Sequence, residues 1–227
     1  MNNIQRDEWI NGEPFWLARC EYIEENLEEV IKEVEFFRKK HSVVVSKILK
    51  DVDGHDDTNA GTIQSALSDP TNTTWTYGVY NLFHLLQPSV SMWHIYNTIV
   101  ELVRFAKPEL DRFKDGQPIW FQSWCNYNMS EDIESELGWH DHQYPYHGYV
   151  QVDPKNTVTE FEDGTQIYNE IGQIYFGKGG SKHRVRKLEE YSGARITFGF
   201  DLAGDYGAIY STLTSGMTRM SFLPMVL

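Results

Sequence analysis

Residues 172–201 read GQIYFGKGGSKHRVRKLEEYSGARITFGFD. Three short segments stand out in this stretch: Gln173–Phe176, His183–Leu188 and Arg195–Asp201. Glycine, serine and acidic residues divide them, so each has the length and the borders of a β-strand. Gly177-Lys178-Gly179-Gly180 has the wrong spacing for a phosphate loop and reads as a turn. In Arg195-Ile196-Thr197-Phe198-Gly199-Phe200, residues 195, 197 and 199 share one strand face, while Ile196 and Phe198 take the other. His183 opens the middle strand.

The same period continues upstream from about Pro118. Ile119–Tyr127, Trp139–His142, Tyr149–Val152, Thr157–Phe161 and Gln166–Tyr168 are short segments separated by Gly, Asp, Pro and Asn. Together with the first three they predict a sandwich or jelly roll. The first half reads as helical. From Glu21 to Lys40, the residues Ile23, Leu27, Val30, Ile31, Val34 and Phe37 form one helix face. Glutamates crowd its start and Arg38, Lys39 and Lys40 its end, as the helix dipole favours. A second helix is expected from about Met92 to Ala106, with Ile95, Ile99, Leu102, Val103 and Ala106 on one face and Pro108 ending it. Residues 51–74, rich in Asp, Gly, Asn and Thr, read as loop. The expected fold class is α+β. In one domain, a mainly helical support region (1–117) packs on a jelly-roll core (118–201), followed by an extension (202–227).

The composition agrees with a globular protein. The chain has 227 residues, 41% hydrophobic and 23% charged, enough for a core without disulfide staples. Aromatic residues reach 14%, which favours β-structure. Twenty basic residues face 33 acidic ones, a net charge of −13. That excludes a general binder of duplex nucleic acid or anionic membranes, since both need a positive field. No apolar signal core or 18-residue apolar run is present, so no membrane span is expected. Two cysteines, Cys20 and Cys125, form no disulfide framework, and a reducing cytoplasmic setting is the expectation.

Four of the eight histidines fall between residues 140 and 183. His140 and His142 are two apart on an expected strand, so both imidazoles can face one cavity while Asp141 faces the other way. His183 comes 41 residues later, on a distant strand. A metal held on one side by two such strands keeps positions open for substrate and oxygen. Neutral imidazole suits Fe, Zn, Cu and Ni alike. Without further context, His-x-His on a strand is also ordinary polar surface.

Further context is present. Gly172-Gln173-Ile174-Tyr175-Phe176 leads into His183, and Arg195-x-Thr197 begins 12 residues after it. In this order the chain resembles the Fe(II)- and 2-oxoglutarate-dependent oxygenases of the double-stranded β-helix (jelly-roll, cupin-like) fold. Ser123-Trp124-Cys125-Asn126, Trp139-His140-Asp141-His142 and His147-Gly148-Tyr149-Val150 are similar to the Ser-Trp-x-Asn, Trp-His-x-His and Ser-Gly-x-Tyr pattern of a bacterial and phage subgroup. The resemblance covers roughly residues 118–201. It implies a dioxygenase, most simply a hydroxylase, with Fe(II) on His140, His142 and His183. It also implies 2-oxoglutarate as cosubstrate, with its tail carboxylate on Arg195 and Thr197, and ascorbate as a reductant. The usual ligand carboxylate is replaced by His142; Asp141 becomes a ligand only if the strand bulges there.

Asn126 and Tyr127 are the remaining cosubstrate candidates. Asn126 shares a face with Trp124 and Asn128, whereas Tyr127 points away unless the strand twists. His147 reads as a turn residue. His55-Asp56-Asp57 is a literal His-x-Asp but reads as solvated loop. Lys178, Lys182, Arg184, Arg186 and Lys187 flank His183 without an acid among them, either a charged strand edge or a positive rim for an anion. The alternatives are a three-histidine cupin-like enzyme without 2-oxoglutarate, and a non-enzymatic jelly-roll binding module. A small metabolite, an amino-acid side chain and a nucleotide all remain as substrates, and the oligomeric state is open.

Overall fold

Strand alternation dictates the architecture. The computed structural model describes residues 4–38, 74–75, 81–85, 89–111, 113, 116–131, 133, 137–204, 222–225 and 227. Except for Thr74, the expected 51–74 loop with His55-Asp56-Asp57 lies outside the described residues, as does His41. The described strands are β1 (Gln5–Ile10), β2 (Glu13–Arg19), β3 (Thr74–Trp75), β4 (Ile119–Asn128), β5 (Tyr146–Asp153), β6 (Thr157–Phe161), β7 (Gln166–Tyr168), β8 (Gln173–Lys178), β9 (His183–Lys187), β10 (Arg195–Ala203) and β11 (Phe222–Met225). An 8-stranded antiparallel sheet runs β1-β2-β8-β5-β10-β4-β11, with β3 paired to β4. A 3-stranded sheet runs β7-β6-β9. The result is mostly antiparallel sheet, consistent with a β-sandwich or jelly roll.

The pairings are nested. β4 pairs β10, β5 pairs β8, and β6 pairs β7. Between the first two of these, His140 bridges His183 at the start of β9. Consecutive pairs fall on alternate sheets, so the ladder is wound rather than flat.

Each central strand feeds two cores. Val150, Val152, Ile174, Phe176, Ile196, Phe198, Phe200 and Leu202 face one way, against Ile95, Ile99, Leu102 and Val103 of the Val90–Ala106 helix. The odd positions 147, 149 and 151 of β5 and 195, 197, 199 and 201 of β10 face the interior between the sheets. There Tyr149 and Tyr175 meet Phe161 and Ile167 of the smaller sheet and Ile10 and Phe15 of the first hairpin. β10 is buried along its whole length because both of its faces are covered.

Close strand approach needs a glycine at Gly148. A Cβ there would meet Phe200 Cζ and the Tyr175 carbonyl oxygen, each at 2.3 Å. The carbonyl belongs to the paired strand and cannot move aside. Gly148→Ala is therefore expected to cost about 3 kcal/mol, lowering the melting temperature by roughly 6–12 °C in a thermal denaturation scan.

The mainly helical first half is corrected. Helices do form over Glu21–Glu25, 27–38, Leu82–Leu85 and Val90–Ala106. Ser89 caps the last of these, its hydroxyl accepting from Met92 N. Before them comes a β-hairpin whose second strand pairs with β8, so residues 13–19 belong to the main sheet. Asn11 and Gly12 both take positive φ, 53° and 79°, as a two-residue hairpin turn requires. At the other end, the 202–227 extension supplies β11, which pairs with β4. Cys20 and Cys125 are buried free thiols. Among the described residues no helix is long and apolar enough to cross a membrane.

Candidate metal centre

The segment expected as a strand at Trp139–His142 forms only the His140–His183 bridge. It still lies along β9: His140 N donates to His183 O at 3.0 Å, His183 N to His140 O at 2.9 Å, and Val185 N to Leu137 O at 3.1 Å. The Gly179-Gly180 turn clamps its far end, with Gly180 N donating to His142 O and Gly179 N to Pro145 O, both at 2.9 Å. A side chain at 179 would strike the Tyr144 carbonyl, so glycine there is a steric requirement.

These contacts bring His140, His142 and His183 together. One nitrogen from each ring lies within 4.8 Å of the other two. His140 Nδ1 is 2.7 Å from Gly138 O, and His183 Nδ1 is 3.0 Å from Ser181 O. A carbonyl only accepts, so both Nδ1 atoms carry hydrogen and both Nε2 atoms keep a lone pair. His142 Nδ1 lies 2.9 Å from Asp201 Oδ1, which leaves its Nε2 in the same role. Burial lowers the His140 pKa and drives that of His183 down to about 3, with the neighbouring imidazoles adding to the shift at His183. These two rings are therefore neutral donors at pH 7. Burial also pushes against charge on His142, but the Asp201 carboxylate outweighs it and raises the pKa. Two imidazoles with Nδ1 tied to a carbonyl, and a third with Nδ1 beside a carboxylate, could serve together as a donor set for a zinc- or iron-type ion. His183 is buried while His140 and His142 are half-buried, so the cluster sits at a mouth rather than in a closed core.

His147 is corrected from turn residue to interior residue. It lies within β5, 1% exposed. Its ring stacks on His142 at 4.6 Å and on His183 at 4.9 Å, nearly parallel to both. Burial, with three imidazoles close by, holds its pKa well below the usual histidine value. Trp124 also stacks on His142, at 5.6 Å. The indole lies against Gly199, where a Cβ would come within 2.4 Å of it.

Deeper inside, Arg195 is 3% exposed. Its Nη1 donates to Thr197 Oγ1 at 3.2 Å, and Nη2 reaches Gln151 Oε1 at 3.5 Å. Asn126 Nδ2 also reaches Thr197 Oγ1 at 3.5 Å. Arg195 Nε has no partner, and among the described residues no carboxylate pairs with this guanidinium. Burial lowers its pKa to about 10, which leaves it charged at neutral pH.

Two candidates lie elsewhere. Tyr127 packs on the helix-side core with the Arg38 guanidinium 4.1 Å over its ring, because alternation turns it away from Asn126. Asp141 is exposed and outside the cluster. The basic segment beside His183 is largely neutralised by acids distant in sequence. Glu160 pairs with Arg184 and Arg186, Glu13 with Lys178, and Glu190 with Lys187. The segment is thus a charged edge and not an open positive rim.

No family model matches the chain, and no curated protein matches it. Solved structures align with parts of it. A Neisseria meningitidis protein aligns with 43% of this chain and 95% of its own, at 19% identity and a TM-score of 0.28. A full-length Neurospora crassa protein solved with alpha-KG aligns over 53% of this chain and 48% of its own, at 11% identity and a TM-score of 0.35. Dioxygenase for auxin oxidation 1 from Arabidopsis thaliana, solved with 2-oxoglutarate, aligns over 54% of this chain and 56% of its own, at 19% identity and a TM-score of 0.34. The chain spans about half the length of the last two.

Proposed function

We propose that the chain is an Fe(II)- and 2-oxoglutarate-dependent dioxygenase, a hydroxylase built on a double-stranded β-helix. One observation carries this reading: Arg195, a buried guanidinium with no carboxylate partner among the described residues, lies on the same face of β10 as Asp201, which approaches the three-histidine cluster. Burying an unpaired cation costs several kcal/mol, which an arriving anion offsets. 2-Oxoglutarate has an anionic group at each end, one for the metal and one for a guanidinium. The nested strand pairing supports the fold, with β2 and β11 extending the main sheet beyond the 118–201 core.

In this reading His140, His142 and His183 hold the iron, which when bound supplies the oxidative chemistry. Arg195 and Thr197 anchor the far carboxylate, and Asn126 fixes the Thr197 hydroxyl. The apolar ring of Phe161, Tyr149 and Tyr175 keeps water from the deep side. The mouth at His140 and His142 leaves room for a small molecule, an amino-acid side chain or a nucleotide. Two free thiols suit a reducing, cytoplasmic setting.

The test is an anaerobic titration. Adding 2-oxoglutarate to the Fe(II)-loaded protein is expected to give a weak visible metal-to-ligand charge-transfer band. The donor set contains no carboxylate, which favours a three-histidine cupin-like enzyme as the second reading. Iron retained without the band selects that reading. Failure to retain iron selects a non-enzymatic module.

A further inference from the structure

Asp201 is 0% exposed, and its Oδ1 lies 2.9 Å from His142 Nδ1. It sits on β10 opposite Gln122 of β4 and His147 of β5. Both neighbours carry buried nitrogens without hydrogen bonds, and neither Asp201 oxygen makes a well-aligned hydrogen bond. A carboxylate held this way is costly unless positive charge resides close by. No Lys or Arg pairs with it among the described residues.

We infer that Asp201 supplies, through His142, the negative charge that the three-imidazole donor set lacks. The carboxylate stands behind the ligand instead of in the chelate, forming a carboxylate–histidine–metal relay. A divalent ion with three neutral imidazoles and Asp201 carries the same net charge as one with two imidazoles and a ligating carboxylate. Asp201 is thus a positioning residue: it fixes the His142 ring, makes its Nε2 a stronger donor and favours the more highly charged ion. Trp124 and His147, both stacked on His142, hold the ring for this contact. The inference rests on the metal reading above.

Asp201→Asn keeps the shape and removes the charge. It is expected to weaken Co(II) binding 10- to 100-fold, measured anaerobically by competition with a chromophoric chelator. The Fe(III)/Fe(II) midpoint potential of the loaded protein should rise, because the ferric ion loses more from the missing charge. Asp201→Glu, which keeps the charge, should restore the potential. Wild-type affinity in Asp201→Asn overturns the proposal. So does weaker binding with an unmoved potential, the mark of a merely structural defect. If Asp201→Asn does not fold, the Zn(II)-loaded wild type decides: the His142 Nδ1 proton should resonate at low field and exchange slowly, and a fast-exchanging proton overturns the relay. Equal, negligible Co(II) binding by wild type and His183→Ala would instead mean that the metal reading itself had failed.

Discussion

His183→Ala is expected to abolish stable metal loading. Wild-type protein is expected to bind one Fe(II) per chain, and the variant to bind it more weakly by well over 100-fold, exceeding the roughly 10- to 100-fold cost of losing an outer-sphere partner. Three features make His183 the histidine on which the proposed centre most depends. It is the most buried of the three histidines, at 4% exposure. Its backbone holds the His140 segment through two hydrogen bonds. Its Nδ1 is committed to Ser181 O, so Nε2 has no competing tautomer. Metal titration under anaerobic conditions reads the effect directly. His94→Ala provides the control, since His94 stacks on Tyr22 beside the Val90–Ala106 helix and has no part in the cluster. Iron binding by His183→Ala at wild-type strength would remove the three-histidine centre from consideration.

Arg195→Met separates two effects of opposite sign. Without ligand, the variant should be more stable, because a buried cation without a carboxylate is replaced by an apolar chain of similar reach. Exchanging buried charge for hydrophobic volume often gains about 1–4 kcal/mol, so the ligand-free variant should melt several degrees higher. In contrast, 2-oxoglutarate binding should weaken by about 2–5 kcal/mol, the usual result of truncating one side of a buried charge pair. That corresponds to a roughly 30- to several-thousand-fold rise in Kd. Calorimetric titration of the metal-loaded protein and thermal scans of both forms measure the two halves. Unchanged cosubstrate affinity would assign Arg195 a structural role and leave the metal centre without its dianion.

The sequence made some of this legible. β6 and β7 form over the expected residues, and β10 begins at the expected Arg195. Those segments are bounded by glycine, proline or acidic turns, and local rules suffice there. The first hairpin was missed: Asn11-Gly12 marks its turn, but its flanking strands carry charged residues that blur the alternation. His147 required extending the Tyr149–Val152 alternation back across Gly148, a residue that reads as a turn until its packing against Phe200 is seen. The Trp139–His142 segment was misread for the opposite reason. Its residues suit a strand, yet their hydrogen bonds go to the Gly179-Gly180 turn and to His183, contacts that no local pattern encodes. Asp201 lay in an expected strand, but its pairing with His142 depends on sheet register. The same holds for the acids that neutralise the basic segment beside His183.

The pairing of β2 with β8 sets a schedule for synthesis. Each residue from Phe15 to Arg19 meets a β8 partner more than 150 positions further along the chain. At ribosomal speeds of 5–20 residues per second, the β1–β2 hairpin spends roughly 8–30 s in the open before its docking edge emerges. During that time Trp16 and Phe15, both interior in the finished sheet, are exposed beside an unpaired strand edge. A nascent chain of this kind is a natural client for chaperones that bind apolar strands. Recombinant yield should therefore respond to translation rate and temperature more strongly than the stability of the completed sheet would imply.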